Sequence, residues 1–311
     1  MGGTQHSKTP VLHPSSSSSS YFDPDGLARL GNMELVARQV VEGFLTGKHR
    51  SPFHGFSVEY LDHRPYTPGD ELRALDWRIL ARSDKYFIKL FEDETNLRAH
   101  ILLDCSRSMQ FQSGGISKLA YGAYLAAALT HLMLRQNDAV GLVLFDDQVR
   151  SYLPPRARAT QFRRVLDLLE TATPRGETNV GAILHEMADR IRPRGLVVLI
   201  SDLIDDPDTL ARGLQHFRHN HHEVIVFQVL DDAEVSFPFE KMTRFKDMEG
   251  VSQVVVNPQS IRVQYRQRMD AFLDRLKQEC FDRHISYMLA NTTEPYDLLL
   301  AEYLEKRARL G

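Results

Sequence analysis

The sequence predicts an α/β protein: a doubly wound, mostly parallel sheet flanked by helices, led by a small N-terminal β-containing segment. From Leu97 onward, short apolar runs alternate with longer stretches of helical period, the pattern that successive βαβ units leave in a chain. Strands spaced by helices imply a sheet covered on both faces. Two of the runs, Ile101-Leu102-Leu103-Asp104 and Leu199-Ile200-Ser201-Asp202, end abruptly in an acid. In open parallel sheets, ligands sit beyond such carboxyl ends.

Bulk properties narrow the class. A chain of 311 residues can bury a sizeable core and suits one large domain with an accessory segment. With 25% charged residues and a formal net charge of −3, it is neither a basic nucleic-acid binder nor an acidic tail. Cys105 and Cys280 make no disulfide framework, so a reducing compartment is expected. No apolar run reaches the ~20 residues of a membrane helix, and no apolar signal core precedes the serines at 15–20. The expectation is a cytoplasmic protein without a membrane span.

Taken in order, residues 1–22, with Pro10, Pro14 and six consecutive serines, read as a disordered tail. Residues 23–96 form the N-terminal segment. A helical pattern over Leu27, Leu30, Leu35, Val36, Val40, Val41 and Phe44 opens it and stops at Gly43 to Gly47. Gly43-Phe44-Leu45-Thr46-Gly47-Lys48 imitates a phosphate loop, but it is one residue short between its glycines, ends in His49 and follows a helix rather than a strand. Alternation predicts strands at 56–60 and 86–91, with a Thr67-Pro68-Gly69-Asp70 turn and Trp77 between Asp76 and Arg78. This segment either ties to the larger domain or serves as a partner-docking surface.

The larger domain spans 97–311. A strand at 97–103 runs into a loop, a helix follows at 117–135 and a strand at 139–145. Asp146-Asp147-Gln148 is a tight turn to a short partner strand at 149–153, which Pro154-Pro155 ends. Helices are expected at 160–171 and 179–191, a strand at 196–201, a helix at 208–218 and a strand at 223–230. Residues 234–256 read as irregular apart from a short strand at 253–256. A helix at 260–283, a strand at 285–290 and a helix at 295–309 complete the chain.

Asp104-Cys105-Ser106-Arg107-Ser108 offers one carboxylate and two hydroxyls at alternate positions just past a strand. Hard oxygens with few carboxylates suit Mg²⁺ or Mn²⁺ better than a soft metal. Gly176-Glu177-Thr178-Asn179 presents Thr178 beside a helix start, and Asp202 closes a third strand. Asp104, Ser106, Ser108, Thr178 and Asp202 are thus expected on three loops at one edge of the sheet. The alternative is that these hydroxyls and acids only cap loops and helices.

This three-loop set resembles the metal-ion-dependent adhesion site of von Willebrand factor A domains, and the resemblance spans about residues 97–290. Val140-Gly141-Leu142-Val143-Leu144-Phe145-Asp146-Asp147 and Gly176 to Leu184 look like segments of the same fold. Ser51-Pro52-Phe53, Gly55, Ser57-Val58-Glu59, Tyr66 to Asp70, Asp76-Trp77 and Ala81-Arg82 narrow the likeness. Together they resemble the domain-of-unknown-function 58 family, whose members are often associated with MoxR-type AAA+ ATPases. The resemblance implies that Ser106 and Ser108 bind Mg²⁺ directly, Thr178 directly or through water, and Asp104 and Asp202 mainly through water. A Glu or Asp of a client protein then supplies the sixth oxygen. Arg107 adds a positive charge that opposes the metal or steers an acidic partner. Cys105 is expected to be buried and inert.

Other constellations are weaker. His216, His219, His221 and His222 crowd a helix end without a cysteine or spaced partner and read as surface histidines. His185-Glu186-Met187-Ala188-Asp189 has an acid where a zincin helix needs its second histidine. Asp104 as a phosphatase nucleophile lacks an acid two residues on, and no Gly-x-Ser-x-Gly elbow occurs. The expected function is a non-enzymatic, Mg²⁺-dependent protein-binding adaptor, with a MoxR-type AAA+ ATPase as partner. The competing expectation is a metal-dependent phosphohydrolase using Asp104 and Asp202.

Overall fold

The computed structural model describes residues 24–25, 31–46, 62–65, 67, 86–90, 97–177, 179–192, 194–248 and 253–310. Its architecture is α/β, with a mixed, mostly parallel six-stranded sheet flanked by helices.

Helix α1 (Met33–Thr46) buries Val36, Ala37, Val40 and Val41, while Glu34 and Arg38 pair at 2.9 Å on its outer side. Leu35, expected in the apolar stripe, is 44% exposed. Strands β1 (Asp62–Pro65) and β2 (Phe87–Leu90) form an antiparallel ladder. The second of these matches the strand expected at 86–91, whereas the first lies just beyond the stretch expected at 56–60. That stretch, Trp77 with its neighbours, and Lys48 of the phosphate-loop imitation lie outside the described residues.

The main sheet is built from β3 (Arg98–Asp104), β4 (Ala139–Phe145), β5 (Val149–Arg156), β6 (Leu196–Ser201), β7 (Glu223–Leu230) and β10 (Ser286–Asn291), in the order β10-β7-β6-β3-β4-β5. All neighbours are parallel except β4 and β5. From β3 the chain winds through β4 and β5 to one side, then crosses to β6 on the other. The strand order reverses between β3 and β6, which makes their carboxyl ends a topological switch point, the place where such sheets bind ligands.

Side chains of alternate residues go to opposite faces of a strand. On one face Ile101, Leu103, Val198 and Ile200 meet α1, α2 (Lys118–Arg135), α3 (Ala159–Glu170) and α8 (Tyr296–Leu310). On the other, Leu102, Val143, Val197, Leu199 and Val226 meet α4 (Val180–Arg190), α5 (Pro207–His219) and α7 (Pro258–Asp282). Each such side chain contributes roughly 1.5–3 kcal/mol by leaving water. Helix α2 approaches the sheet closely at Gly122, where a Cβ would lie 3.0 Å from Leu103 and 3.1 Å from Ile200.

Two expected boundaries move. Strand β5 continues through Pro154 and Pro155 to Arg156 instead of stopping before them. It is an edge strand, where a missing N–H costs no ladder bond. Gly141 admits it, because a Cβ there would sit 2.6 Å from the Leu153 carbonyl oxygen. The stretch expected to be irregular contains α6 (Asp232–Ser236) and an antiparallel ladder of β8 (Thr243–Lys246) with β9 (Gln253–Val256). Asp231 and Glu234 make a capping box that starts α6. Among the described residues no helix is long and apolar enough to cross a membrane.

Candidate metal centre at the sheet rim

Because Leu103 pairs with Ile200 in the β3–β6 ladder, the next residues, Asp104 and Ser201, face each other at the switch point. Both are fully buried, and Ser201 Oγ donates to Asp104 Oδ2 at 2.6 Å. The backbone N–H of Ser106 donates to Asp104 Oδ1 at 2.8 Å, an Asx turn that folds the loop over the strand end. A single turn of 3₁₀ helix (Arg107–Gln110) then sets Ser108 beside Ser106, with their hydroxyl oxygens 2.9 Å apart.

Asp104 has no basic side chain bonded to it among the described residues. Burial first, and then the charge of Asp202, push its carboxyl up to about 7, against the pull of its hydrogen bonds from Ser201 and Ser106. Asp202 has a different fate. Lys118 Nζ lies 2.8 Å from Asp202 Oδ2 and 2.8 Å from Glu234 Oε1. Burial works against the ammonium, yet the two acids outweigh it and raise its pKa; Glu234 in turn is raised by burial despite Lys118.

The second loop reaches the same rim. Arg175 N donates to the Cys105 carbonyl at 2.8 Å, and Arg107 Nε donates to the Gly176 carbonyl at 2.9 Å. Gly176 has φ +68°, and a Cβ there would come within 2.9 Å of Asp146 Oδ2. Asn179 Oδ1 caps α4 by accepting from Ala182 N. Thr178, between them, lies outside the described residues. Arg107 thus ties the first loop to the second, a role the sequence did not suggest. Cys105 is buried and its thiol is pushed up to about 12 by burial, as expected of an inert cysteine.

The geometry brings Asp104, Ser106 and Ser108 together, with Asp202 adjoining. It adds three residues that motif reading missed: Ser201, Lys118 and Glu234. Lys118 did leave a signal. It occupies the first turn of a helix, where the dipole disfavours a cation, so its charge needs acidic partners from elsewhere.

A divalent ion fits this donor set. Among the described residues, no three His, Cys, Asp or Glu side chains gather where an ion could be held, so an ion here would depend on hydroxyls. The 2.9 Å between the Ser106 and Ser108 oxygens is about the edge of an octahedron with bonds of ~2.0–2.1 Å, the Mg²⁺ range. Asp104 is a buried acid without a bonded cation among the described residues, and such a group needs either a proton or a cation.

The histidines resolve differently. His222, expected at the surface, is buried; its Nδ1 accepts from Gly195 N at 3.1 Å and its Nε2 lies 3.2 Å from the Ile191 carbonyl. It ties the start of β6 to the end of α4. His185 and His216 face each other with Nδ1 atoms 3.3 Å apart, and His216 Nε2 lies 3.4 Å from Asp189.

The family described as "Protein of unknown function DUF58" matches residues 62–272. The uncharacterized protein Rv1480 of Mycobacterium tuberculosis is 29% identical over 238 residues, 75% of this chain and 74% of that protein. The uncharacterized protein Mb1516 of Mycobacterium bovis matches to the same extent. Among solved structures, an aerotolerance-related membrane protein from Bacteroides fragilis aligns with a TM-score of 0.49 and 19% identity, covering 68% of this chain and 99% of that one. BatB from Bacteroides thetaiotaomicron aligns at 0.46 and 17%, with the same coverage.

Proposed function

The chain belongs to the DUF58 family, and we propose that its sheet rim is a divalent-metal docking site in a von Willebrand factor A-like domain. The observation that carries this reading is the buried carboxyl of Asp104, without a basic partner among the described residues and followed in the same loop by two hydroxyls, of Ser106 and Ser108, that lie 2.9 Å from each other. Ser106, Ser108 and Asp104 would hold Mg²⁺ or Mn²⁺, with Asp202 acting from the second sphere and Thr178 supplied by the adjoining loop. When bound, the ion supplies a positive charge with a coordination position open to a carboxylate. Ser201 and the Ser106 N–H fix the orientation of Asp104. Lys118 keeps Asp202 and Glu234 in place and offsets part of their charge.

On this reading the protein is a non-enzymatic adaptor. Its client presents a Glu or Asp to the rim, and a MoxR-type AAA+ ATPase is the proposed partner, working in the cytoplasm. The phosphohydrolase alternative would use Asp104 as nucleophile, and position 106, two residues on, is a serine rather than the acid that such chemistry wants. A binding titration of the chain against a MoxR-type ATPase, with Mg²⁺ and with EDTA, tests the proposal. Affinity should fall with EDTA and with Asp104→Ala; equal affinity in all arms rejects the metal-bridged reading. Turnover of a generic phosphoester with Mg²⁺ would favour the enzyme instead.

A further inference from the structure

We infer that the β8–β9 ribbon and the first half of α7 form a second docking site, for an acidic linear segment of a partner protein that inserts one bulky apolar side chain. Between these elements lies a cavity of about 370 Å³ lined by Phe111, Phe237, Phe239, Phe245, Val254 and Tyr265 among others, with Glu234 as its one acidic wall. The rings support one another: Phe237 lies 4.4 Å from Tyr265 and 5.7 Å from Phe245, and Phe239 meets Phe245 edge-on at 5.2 Å. Phe237 adopts φ +50° at the end of α6, a conformation uncommon for a bulky residue. As the left-handed cap of α6, with its N–H donating to the Ala233 carbonyl, Phe237 turns the chain and places its ring in the wall.

The cavity is open to solvent where Val254, 56% exposed, forms its lip, and Val255 and Met242 are 55% and 66% exposed nearby. Neighbouring exposed apolar residues of this kind mark interaction surfaces. Charge selects the partner. Residues 237–268 carry six Lys and Arg (Lys241, Arg244, Lys246, Arg262, Arg266, Arg268) against three Asp and Glu, a net +3 on a chain whose net is −3. Apart from Arg262, whose guanidinium bonds the Phe239 carbonyl, these basic residues are exposed. Arg244 and Lys246 alternate with Phe245 and stand on the outer face of the ribbon, while Arg266 and Arg268 follow Tyr265 on α7. A concave aromatic wall accepts a single inserted side chain, the arrangement of a peptide anchor, and the basic surround attracts acidic flanks. The site does not depend on the metal rim, although Phe111 and Glu234 adjoin both.

Fluorescence anisotropy with the full chain tests this. The probe is a labelled peptide with Glu and Asp flanking a central Phe-Leu pair. Two control peptides replace Phe-Leu by Ser-Ser, or the acids by Lys. Saturable binding is expected for the first peptide, weaker by about tenfold or more for each control, and equal in Mg²⁺ and EDTA. Val254→Glu and the double change Arg266→Glu, Arg268→Glu, all at exposed positions, should each weaken it about tenfold without lowering the melting temperature. Equal affinity for the lysine peptide, or no effect of Val254→Glu, overturns the inference. So does self-association abolished by Val254→Glu, or binding to anionic phosphatidylserine vesicles without binding to the acidic peptide. Loss of binding in EDTA would also overturn it, assigning the peptide to the rim instead; failure of the rim reading leaves this binding intact.

Discussion

Lys118 Nζ sits 2.8 Å from Asp202 Oδ2 with both side chains essentially sealed from solvent, at 1% and 0% exposure. The ammonium comes from the first turn of α2 and the acid from the end of β6, so the pair joins a helix start to the strand beside the switch point. Glu234 of α6 completes the contact. One cation thus holds three elements around the rim.

Lys118→Met should therefore be costly. It leaves Asp202 and Glu234 buried with their counter-charge removed, and breaking a buried pair in this way costs about 3–5 kcal/mol. Urea unfolding monitored by circular dichroism measures it. A change below ~1 kcal/mol would mean that water reaches the two acids. The variant should also raise the Asp104 pKa further, since Asp202 would act on it unopposed.

Asp104 gives the metal-free protein a specific pH signature. Its folded pKa is raised from 3.8 to about 7, so the stability associated with it is full below pH 3.8 and is lost as pH rises to about 7. Asp104→Asn removes that dependence. At pH 8 in EDTA the variant should be more stable than the parent by on the order of 4 kcal/mol, as read from thermal melts. The same variant should gain nothing from Mg²⁺.

His100 acts in the opposite direction. It is buried in β3 and stacks with Tyr152 at 6.3 Å. Burial, then the charges of His222 and Arg98, depress its pKa from 6.5 to about 4. Its contribution is full above pH 6.5 and is lost as pH falls towards 4, on the order of 3 kcal/mol in all. His100→Gln should flatten the acid limb of the stability profile. Between pH 4 and 6.5 the Asp104 and His100 effects have opposite signs, so only the single variants separate them.

Gly176→Ala should destabilise the second loop. The substitution places a side chain at φ +68° and presses a Cβ to 2.9 Å from Asp146 Oδ2. A cost of roughly 1–2 kcal/mol is expected. On the proposed reading metal affinity should fall as well, because Arg107 ties this loop to the one that holds Ser106 and Ser108.

The sheet was legible because strands covered on both faces must be apolar throughout, and Leu196 to Ile200 could hardly be anything else. The nearness of Asp104 and Asp202 was legible because each ends an apolar run, and adjacent parallel strands bring such ends together. Lys118, Ser201 and Glu234 were not, since long-range pairing sets them: Ser201 matters only through the β3–β6 register, and Lys118 only through α2's approach to the sheet. Strand β9 was expected at 253–256, but its partner β8 was missed because four alternating residues beside Pro238 and Glu240 give little signal. His222 was misread as a surface residue because a histidine run at a helix end looks polar, while the Gly195 and Ile191 backbone groups that bury it lie far away in sequence.

The most direct test is calorimetric titration of Mn²⁺ or Mg²⁺ into the full-length chain at pH 7.5, alongside Asp104→Asn and the Ser106→Ala, Ser108→Ala double variant. The expected result is one saturable site in the parent that is lost in both variants, each of which still melts cooperatively. No heat of binding in the parent, or the same isotherm in all three proteins, would contradict a metal centre at the β3–β6 rim.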